Sequence, residues 1–241
     1  MSVAKPMPVT NRLIAELPLK QREQFLEHCE PVELVFGDIL CEPDRPYEYV
    51  YFPLTGFISL VALTHDHKPL EMGMIGNESM LGGTLTLGIA SARLRGVVQG
   101  SGSALRMSAP QLQRELKASP ELFAVLGRHV YVLMGQLMQT ATCNCFHEVE
   151  ARLARWLLMT DDRAHSDHFR LTHQFLADML GVQRSAVTIA AGKLQNRKLI
   201  HYARGKISIL SRSKLEAASC ECYAAAISNY AQQFANPAVS H

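Results

Sequence analysis

Apolar residues recur at helical spacing twice between Leu171 and Ile200, in LTHQFLADMLGVQRSAVTIAAGKLQNRKLI. Leu171, Phe175, Leu176, Met179 and Leu180 form the first set, and Val187, Ala190, Ala191 and Leu194 the second. Each set marks one face of a short helix. Gly181 lies between them, where a positive φ can end the first helix and swing the chain into the second. This pattern predicts a helix-turn-helix, whose second helix enters the DNA major groove, although two antiparallel helices of an all-α core would show the same two runs. Downstream, HYARGKISIL places a basic turn at Arg204-Gly205-Lys206 before the apolar positions Ile207, Ile209 and Leu210, which predicts a small hairpin. A helix-turn-helix followed by a hairpin is a winged helix, and the wing offers a second set of phosphate contacts.

The N-terminal half has a different rhythm. Leu13, Ile14, Leu17, Phe25 and Leu26 suggest one or two short helices between Asn11 and Glu30. Then come short runs rich in β-branched and aromatic residues: 32–36, 39–41, 49–52, 57–63, 70–75, 94–98 and 104–107. Turn signals at Gly37-Asp38, Pro43-Asp44, Pro53, Gly56, His65-Asp66 and Gly76-Asn77 punctuate them, and regular short strands of this kind predict a sandwich or jelly-roll barrel. Ser108-Ala109-Pro110 and Ser119-Pro120 each place a serine cap before a proline, the signature of a helix start. From the second start, Phe123, Leu126, Val130, Leu133 and Leu137 are spaced three, four, three and four, the repeat of a coiled-coil seam. A helix from Pro120 to Thr142 would be about 35 Å long. Such a helix pairs with a second copy or packs on its own barrel.

Charge separates the two halves. Between Arg170 and Glu216 there are nine Lys or Arg against two acids, a formal +7, whereas the whole chain is +2 and the remainder therefore about −5. A basic module on an acidic remainder suits a nucleic-acid binder, because Lys and Arg neutralise phosphates. With 241 residues the chain can build two modest cores. It has no apolar run long enough to span a membrane, and MSVAKPMPVTNRLIAELP lacks the apolar segment of a signal peptide, so a cytoplasmic protein is expected.

The six cysteines are Cys29, Cys41, Cys143, Cys145, Cys220 and Cys222. Neither Cys-x-Cys pair has the spacing of a zinc knuckle. Cys143, Cys145 and His147 could gather an ion, but positions two apart on a continuous helix face different ways, and no metal is assigned.

The order of barrel, long helix and winged helix, together with YEYVYFPLTGFISLV, EVEARLARWLLM, LTHQFLADMLGVQRSAV and LIHYARGKISI, resembles the Crp/Fnr family of bacterial transcription regulators, from about Leu34 to Leu215. The resemblance implies an α+β chain with a cyclic-nucleotide-binding-like jelly-roll β-barrel over 11–118, a dimerisation helix over 119–145, a winged helix-turn-helix over 146–219 and a C-terminal tail over 220–241. It implies a homodimer, seamed along Phe123, Leu126, Val130, Leu133 and Leu137, that reads a palindromic operator in double-stranded DNA. RNA polymerase is the implied further partner of an activator.

By the same resemblance Gln183, Arg184, Ser185 and Thr188 fall at the start of the recognition helix. Arg184 stands where the family usually keeps an arginine, and it could bond bidentately to a guanine edge. Gln183, Ser185 and Ile189 depart from common family residues, which implies a different operator. Arg170, Thr172, Lys193, Arg197, Arg204 and Lys206 are expected to touch phosphates, which position the domain without reading sequence.

For an effector pocket the candidates are Glu78, Gly82, Gly83, Arg93 and Arg95. The family's nucleotide binders carry Gly-Glu for the ribose and an Arg-Ser/Thr pair for the cyclic phosphate; here Gly82-Gly83 has no following carboxylate before Glu115, and neither arginine precedes a hydroxyl residue. Without that acid the ribose hydroxyls lose an acceptor, so cyclic AMP is not the expected ligand and the effector stays unnamed. Too few N-terminal cysteines are present for an iron-sulfur cluster, and no cofactor is predicted. Other readings are a haem or redox sensor, with His28, His65 and His67 in or beside the barrel, a ligand-binding module acting through protein partners, and a cupin-like metal enzyme around His65-Asp66-His67 and Glu71. Against an enzyme, Gly100-Ser101-Gly102-Ser103 lacks a nucleophile-elbow context, and no catalytic residue is assigned.

Overall fold

The computed structural model describes residues 11–63, 68–164 and 169–234; His65, Asp66 and His67 of the alternative metal and haem readings lie outside them. Asn11 accepts the Leu13 amide and starts α1 (Arg12–Ala15), which is followed by α2 (Leu19–Glu27). Strands β1 (Glu30–Leu34), β2 (Ile39–Cys41), β3 (Tyr49–Ala62), β4 (Leu70–Ile75) and β5 (Arg95–Ser108) form one antiparallel sheet in the order β1-β5-β3-β4, with β2 also on β5. The fold is α+β, as the strand and helix patterns predict. Among the described residues the strand ladder leaves β1 and β4 as edges, so the jelly-roll-like sheet does not close completely.

Two pairs of expected strands are in fact single long ones. The runs 49–52 and 57–63 join into β3, and 94–98 and 104–107 into β5, because the register shifts three times between Pro53 and Ile58 in place of a turn. Gly56, at φ +73°, lets the strands approach there: a Cβ would stand 2.7 Å from the Ser101 carbonyl oxygen. The bulges also swap the faces of β3. Before them Val50 and Phe52 pack with Leu112, Leu122 and Leu126 under the helices, while Tyr51 joins the other face. After them Ile58 and Leu60 share the face of Tyr51, and Phe57 turns to the C-terminal domain. A period of two without an extra residue would have put Phe57 where Tyr51 points.

Ser108 accepts the Gln111 amide at the start of α3 (Ala109–Ala118), and Ser119 accepts the Leu122 amide at the start of α4 (Pro120–Phe146). At 27 residues α4 is about 40 Å long. The C-terminal half comprises α5 (Val149–Ala164), β6 (Phe169–Arg170), α6 (His173–Leu180), α7 (Arg184–Asn196), β7 (Ile200–Ala203), β8 (Lys206–Ile209) and α8 (Arg212–Ala218), and the DNA-contact candidates lie in or beside β6, α7 and β8, with Thr172 at the start of α6. The two-residue β6 adds a third strand to the expected hairpin. The tail holds α9 (Cys222–Phe234), which folds back so that Tyr223 enters the C-terminal core and Phe234 the sensor core.

One core spans the boundary between the halves. Phe57 and Met74 of the sheet pack with Trp156, Leu157, Leu176 and Leu180. A polar chain runs beside them. The Trp156 indole N–H donates to Glu71 Oε1 (2.8 Å), Glu71 Oε2 meets Ser59 Oγ (2.5 Å), Ser59 meets Gln99 Oε1 (2.9 Å), and the Gln99 amide reaches Met179 Sδ (3.0 Å). A serine hydroxyl has one proton, so it cannot donate to both Glu71 and Gln99. A protonated Glu71 resolves this by donating to Ser59, which then donates to Gln99.

Burial pushes the Glu71 carboxyl up from 4.5 to about 7, outweighing the Ser59 and Trp156 hydrogen bonds and the charges of Arg155 and Arg163. Below pH 4.5 the group is protonated both folded and unfolded. As pH rises toward 7 only the unfolded chain ionises freely, so this group's contribution to stability falls across that window. Glu71→Gln, which stays neutral and keeps an oxygen for Trp156, is expected to flatten this loss, on the order of a few kcal/mol in wild type. Urea unfolding at pH 5 and pH 8 checks it; equal pH dependence in both proteins would refute the assignment.

Candidate nucleic-acid interface

Local chemistry builds the helix-turn-helix. Thr172 accepts the Phe175 amide (3.1 Å) and starts α6; Gly181, at φ +63°, ends it, and α7 follows after Val182 and Gln183. Arg152 of α5 donates to the Leu180 carbonyl and to Asn144 Oδ1 (2.7 Å), which pins the end of α6 to the domain base. Val187, Ala190, Ala191 and Leu194 are buried under α7, so Arg184, Ser185, Thr188, Ile189, Gly192 and Lys193 are left on its open side.

Gln183, Arg184 and Ser185 are all exposed at the first turn of α7. Gln183 makes no side-chain cap, and Arg184 has no ion-pair partner among the described residues. Thr188 is differently employed. Its hydroxyl donates to the Arg184 carbonyl (3.0 Å), so it accepts from His173 Nδ1 (2.9 Å), whose ring stacks on Tyr202 at 4.6 Å. Desolvation, then the Arg184 charge, lowers the His173 pKa and favours the neutral ring, whose proton this bond places on Nδ1. Thr188 thus braces α7 against α6 and the wing. Ile189, 62% exposed, is the apolar side chain that the amphipathic pattern does not account for, and an apolar side chain there can meet a thymine methyl.

The wing turn has Arg204 at φ +50° and Gly205 at φ +78°, between the paired Ala203 and Lys206. Two positive φ values make the tight hairpin turn that matches strand twist, and an arginine accepts this conformation at a cost. Arg204 and Lys206 are exposed, and Arg170 pairs with Lys206 through β6 and β8. Lys193 and Arg197 both face Glu150 of α5, at 3.7 and 2.7 Å. Such exposed pairs are weak, so a phosphate can compete for either cation. Arg212, counted within the +7, is held by Asp161 (2.7 Å) and Asp162 (2.5 Å) and anchors α8 instead.

The five effector candidates do not converge. Glu78 is paired with Arg163 of α5 (2.6 Å), Arg93 with Asp44 (2.8 Å) and Arg95 with Glu42 (2.9 Å). Gly82 turns at φ +97° against Val50, and Gly83 lies under His129. A cavity of about 420 Å³ does open between α4, α9 and the segment after β4, and of the five only Glu78 lines it. The spacing Phe123, Leu126, Val130, Leu133, Leu137 needs a correction as a dimer seam. Leu126 is 1% exposed inside the sensor core, Val130 lies over Gly83, Leu133 packs on the sheet and Leu137 lies over Gly73. Phe123 of that spacing is exposed, but beyond it the open side of α4 lies one residue further round, at Gly127, Tyr131, Met134, Met138, Ala141 and Cys145.

Comparison with known proteins gives the same picture. Residues 151–218 match the Crp-like helix-turn-helix domain. The global nitrogen regulator of a Nostoc species is 27% identical over 178 residues, 69% of this chain and 79% of that one. A Crp/Fnr transcriptional regulator from Eubacterium rectale superposes with TM-score 0.67 at 16% identity, covering 86% of this chain and 96% of its own. FixK2 from Bradyrhizobium japonicum gives 0.66 at 17%, covering 80% and 98%, and the c-di-GMP-responsive regulator CLP of Xanthomonas campestris gives 0.64 at 19%, covering 80% and 100%. The Nostoc, Eubacterium rectale and Xanthomonas campestris proteins are regulators, and among the described residues no helix is long and apolar enough to cross a membrane. The chain is a DNA-binding transcriptional regulator with a Crp-like helix-turn-helix domain over residues 151–218, on a fold shared with solved Crp/Fnr-type regulators.

Proposed function

We propose that this regulator acts without catalysis, in the cytoplasm, as a homodimer on a palindromic operator, with two half-sites one helical turn, about 34 Å, apart. The observation that carries this reading is the open face of α7, where Arg184, with no ion-pair partner among the described residues, stands at the first turn between Gln183 and Ser185. Arg184 reads a guanine edge, with Gln183, Ser185 and Ile189 reading beside it. Thr172, Arg204 and Lys206, joined by Arg170, Lys193 and Arg197, hold phosphates. The open, largely apolar side of α4 meets its twin. RNA polymerase is the further partner where the operator lies at an activating position.

The scattered pairing of Glu78, Arg93 and Arg95 supports a sensor half that does not take cyclic AMP. Selection of bound sequences from a random duplex pool tests the whole reading, first without ligand and then with cyclic AMP or cyclic di-GMP. A palindrome recovered without ligand is expected. Recovery only with cyclic AMP would overturn the effector part.

Three variants follow. Arg184→Ala should cost about 1–3 kcal/mol on the selected operator and relax preference at one base pair, measured by competitive binding across single-base changes. Equal losses on all sequences would remove it from base readout. Lys206→Ala should weaken all duplexes alike and lower the salt slope of log K by about one, which titration in potassium chloride measures. Met134→Glu should place two carboxylates in the apolar interface and raise the dimer dissociation constant by at least about tenfold in sedimentation equilibrium. An unchanged dimer would return the interface to another face of α4.

A further inference from the structure

Cys143 and His147 are one helical turn apart at the end of α4, and Cys220 and Cys222 flank Glu221 where α8 gives way to α9. Their ligand atoms, three Sγ and one imidazole nitrogen, all lie within 4.8 Å of one another. Cys143 Sγ is 3.5 Å from Cys220 Sγ, and Cys222 Sγ is 3.4 Å from His147 Nδ1. A tetrahedral ion with metal–sulfur bonds of 2.3 Å needs sulfurs about 3.8 Å apart, so small side-chain shifts suffice. The three cysteines are buried, with Ala151 packed against them.

We propose that Cys143, His147, Cys220 and Cys222 form a closed tetrahedral site for a zinc-class divalent cation. The surroundings fit a metal ligand set. His147 Nε2 lies 3.1 Å from Glu221 Oε1, the carboxylate partner that orients a ligating imidazole through its other nitrogen. The Gln139 amide donates to Cys222 Sγ (2.9 Å), as a group supporting a thiolate would. Binding releases the thiol protons and leaves three thiolates, one neutral imidazole and one dication, a net −1. The cations of Arg152 and Arg155 act on these sulfurs and offset it. Three soft sulfurs and one nitrogen in a tetrahedron select zinc over calcium or magnesium, and four protein ligands leave no open position for catalysis.

The site's place gives its consequence. One ligand pair precedes the winged helix and the other follows it, so the ion closes residues 148–219 into a loop anchored on α4. The DNA-binding domain and the start of α9 are thereby tied to the helix that carries the proposed dimer face. Cys145, exposed on the opposite side of α4, takes no part.

Full-length protein purified with a reductant and without chelator should carry one zinc per chain by mass spectrometry of the metal. The same chain loaded with cobalt should show the intense thiolate-to-metal absorption and visible bands of a tetrahedral thiolate site. Cys145→Ser should keep both signals, and the double variant Cys220→Ser/Cys222→Ser should lose them. Reduced wild-type protein that holds no zinc or cobalt after reconstitution and desalting would overturn the site, as would octahedral cobalt bands. A double variant that binds as much metal as wild type would overturn it too. The cobalt spectrum of wild type keeps the test decisive even where the double variant does not fold.

Discussion

Trp156 reaches across from the DNA-binding domain and donates its indole N–H to Glu71, a carboxyl group buried in the sensor sheet. A charge at that depth would cost far more than its hydrogen bonds return, so the group is held toward its neutral form. In that form it completes a chain of donors and acceptors from α5 through β4, β3 and β5 to α6. Phe57 and Met74 surround the chain with apolar contacts from the sheet side, Leu157 and Leu176 from the other. The two halves therefore share a core, and the position of the helix-turn-helix relative to the sensor depends on a handful of satisfied polar groups. Half-satisfied, such a network would be worse than none.

Helix α4 divides its circumference among several neighbours. Leu122, Leu126 and His129 are buried toward the sensor, and Gly135 allows the close approach of Asn229 on α9. Cys143 and His147 meet the loop after α8, while Tyr131, Met134 and Met138 remain open. A helix committed on so many sides cannot rotate freely. Movement of the sensor, of the tail or of a second copy on the open side would be felt at the base of the winged helix, where Arg152 links Asn144 to the end of α6.

Much of the local structure was legible in the sequence because its causes are local. Ser108, Ser119 and Thr172 each satisfy the amide three residues ahead, and Gly181 adopts the left-handed conformation that ends α6. The buried positions of α7 follow its apolar period. Which side of α4 stays open was not legible, since the helix is apolar over much of its circumference and spacing alone cannot say which stripe meets its own domain. Leu126 and Leu137 went to the sensor side, and the next stripe stayed open. The strand breaks failed for a related reason: Pro53 and Gly56 read as a turn, but the partner strand β5 makes them bulges.

The sequence by itself determined the order of the elements, their caps, the turn into the recognition helix and the basic excess of the winged domain. All of these rest on residues within a turn or two of one another, or on composition. Only the tertiary structure decided which arginines are tied into ion pairs, that Thr188 braces the domain, that Glu78, Arg93 and Arg95 are paired apart, and that Cys143 and Cys220, 77 positions apart, come within 3.5 Å. Those outcomes depend on which surfaces exclude water together. Residues distant in sequence become partners only after the chain has folded around them.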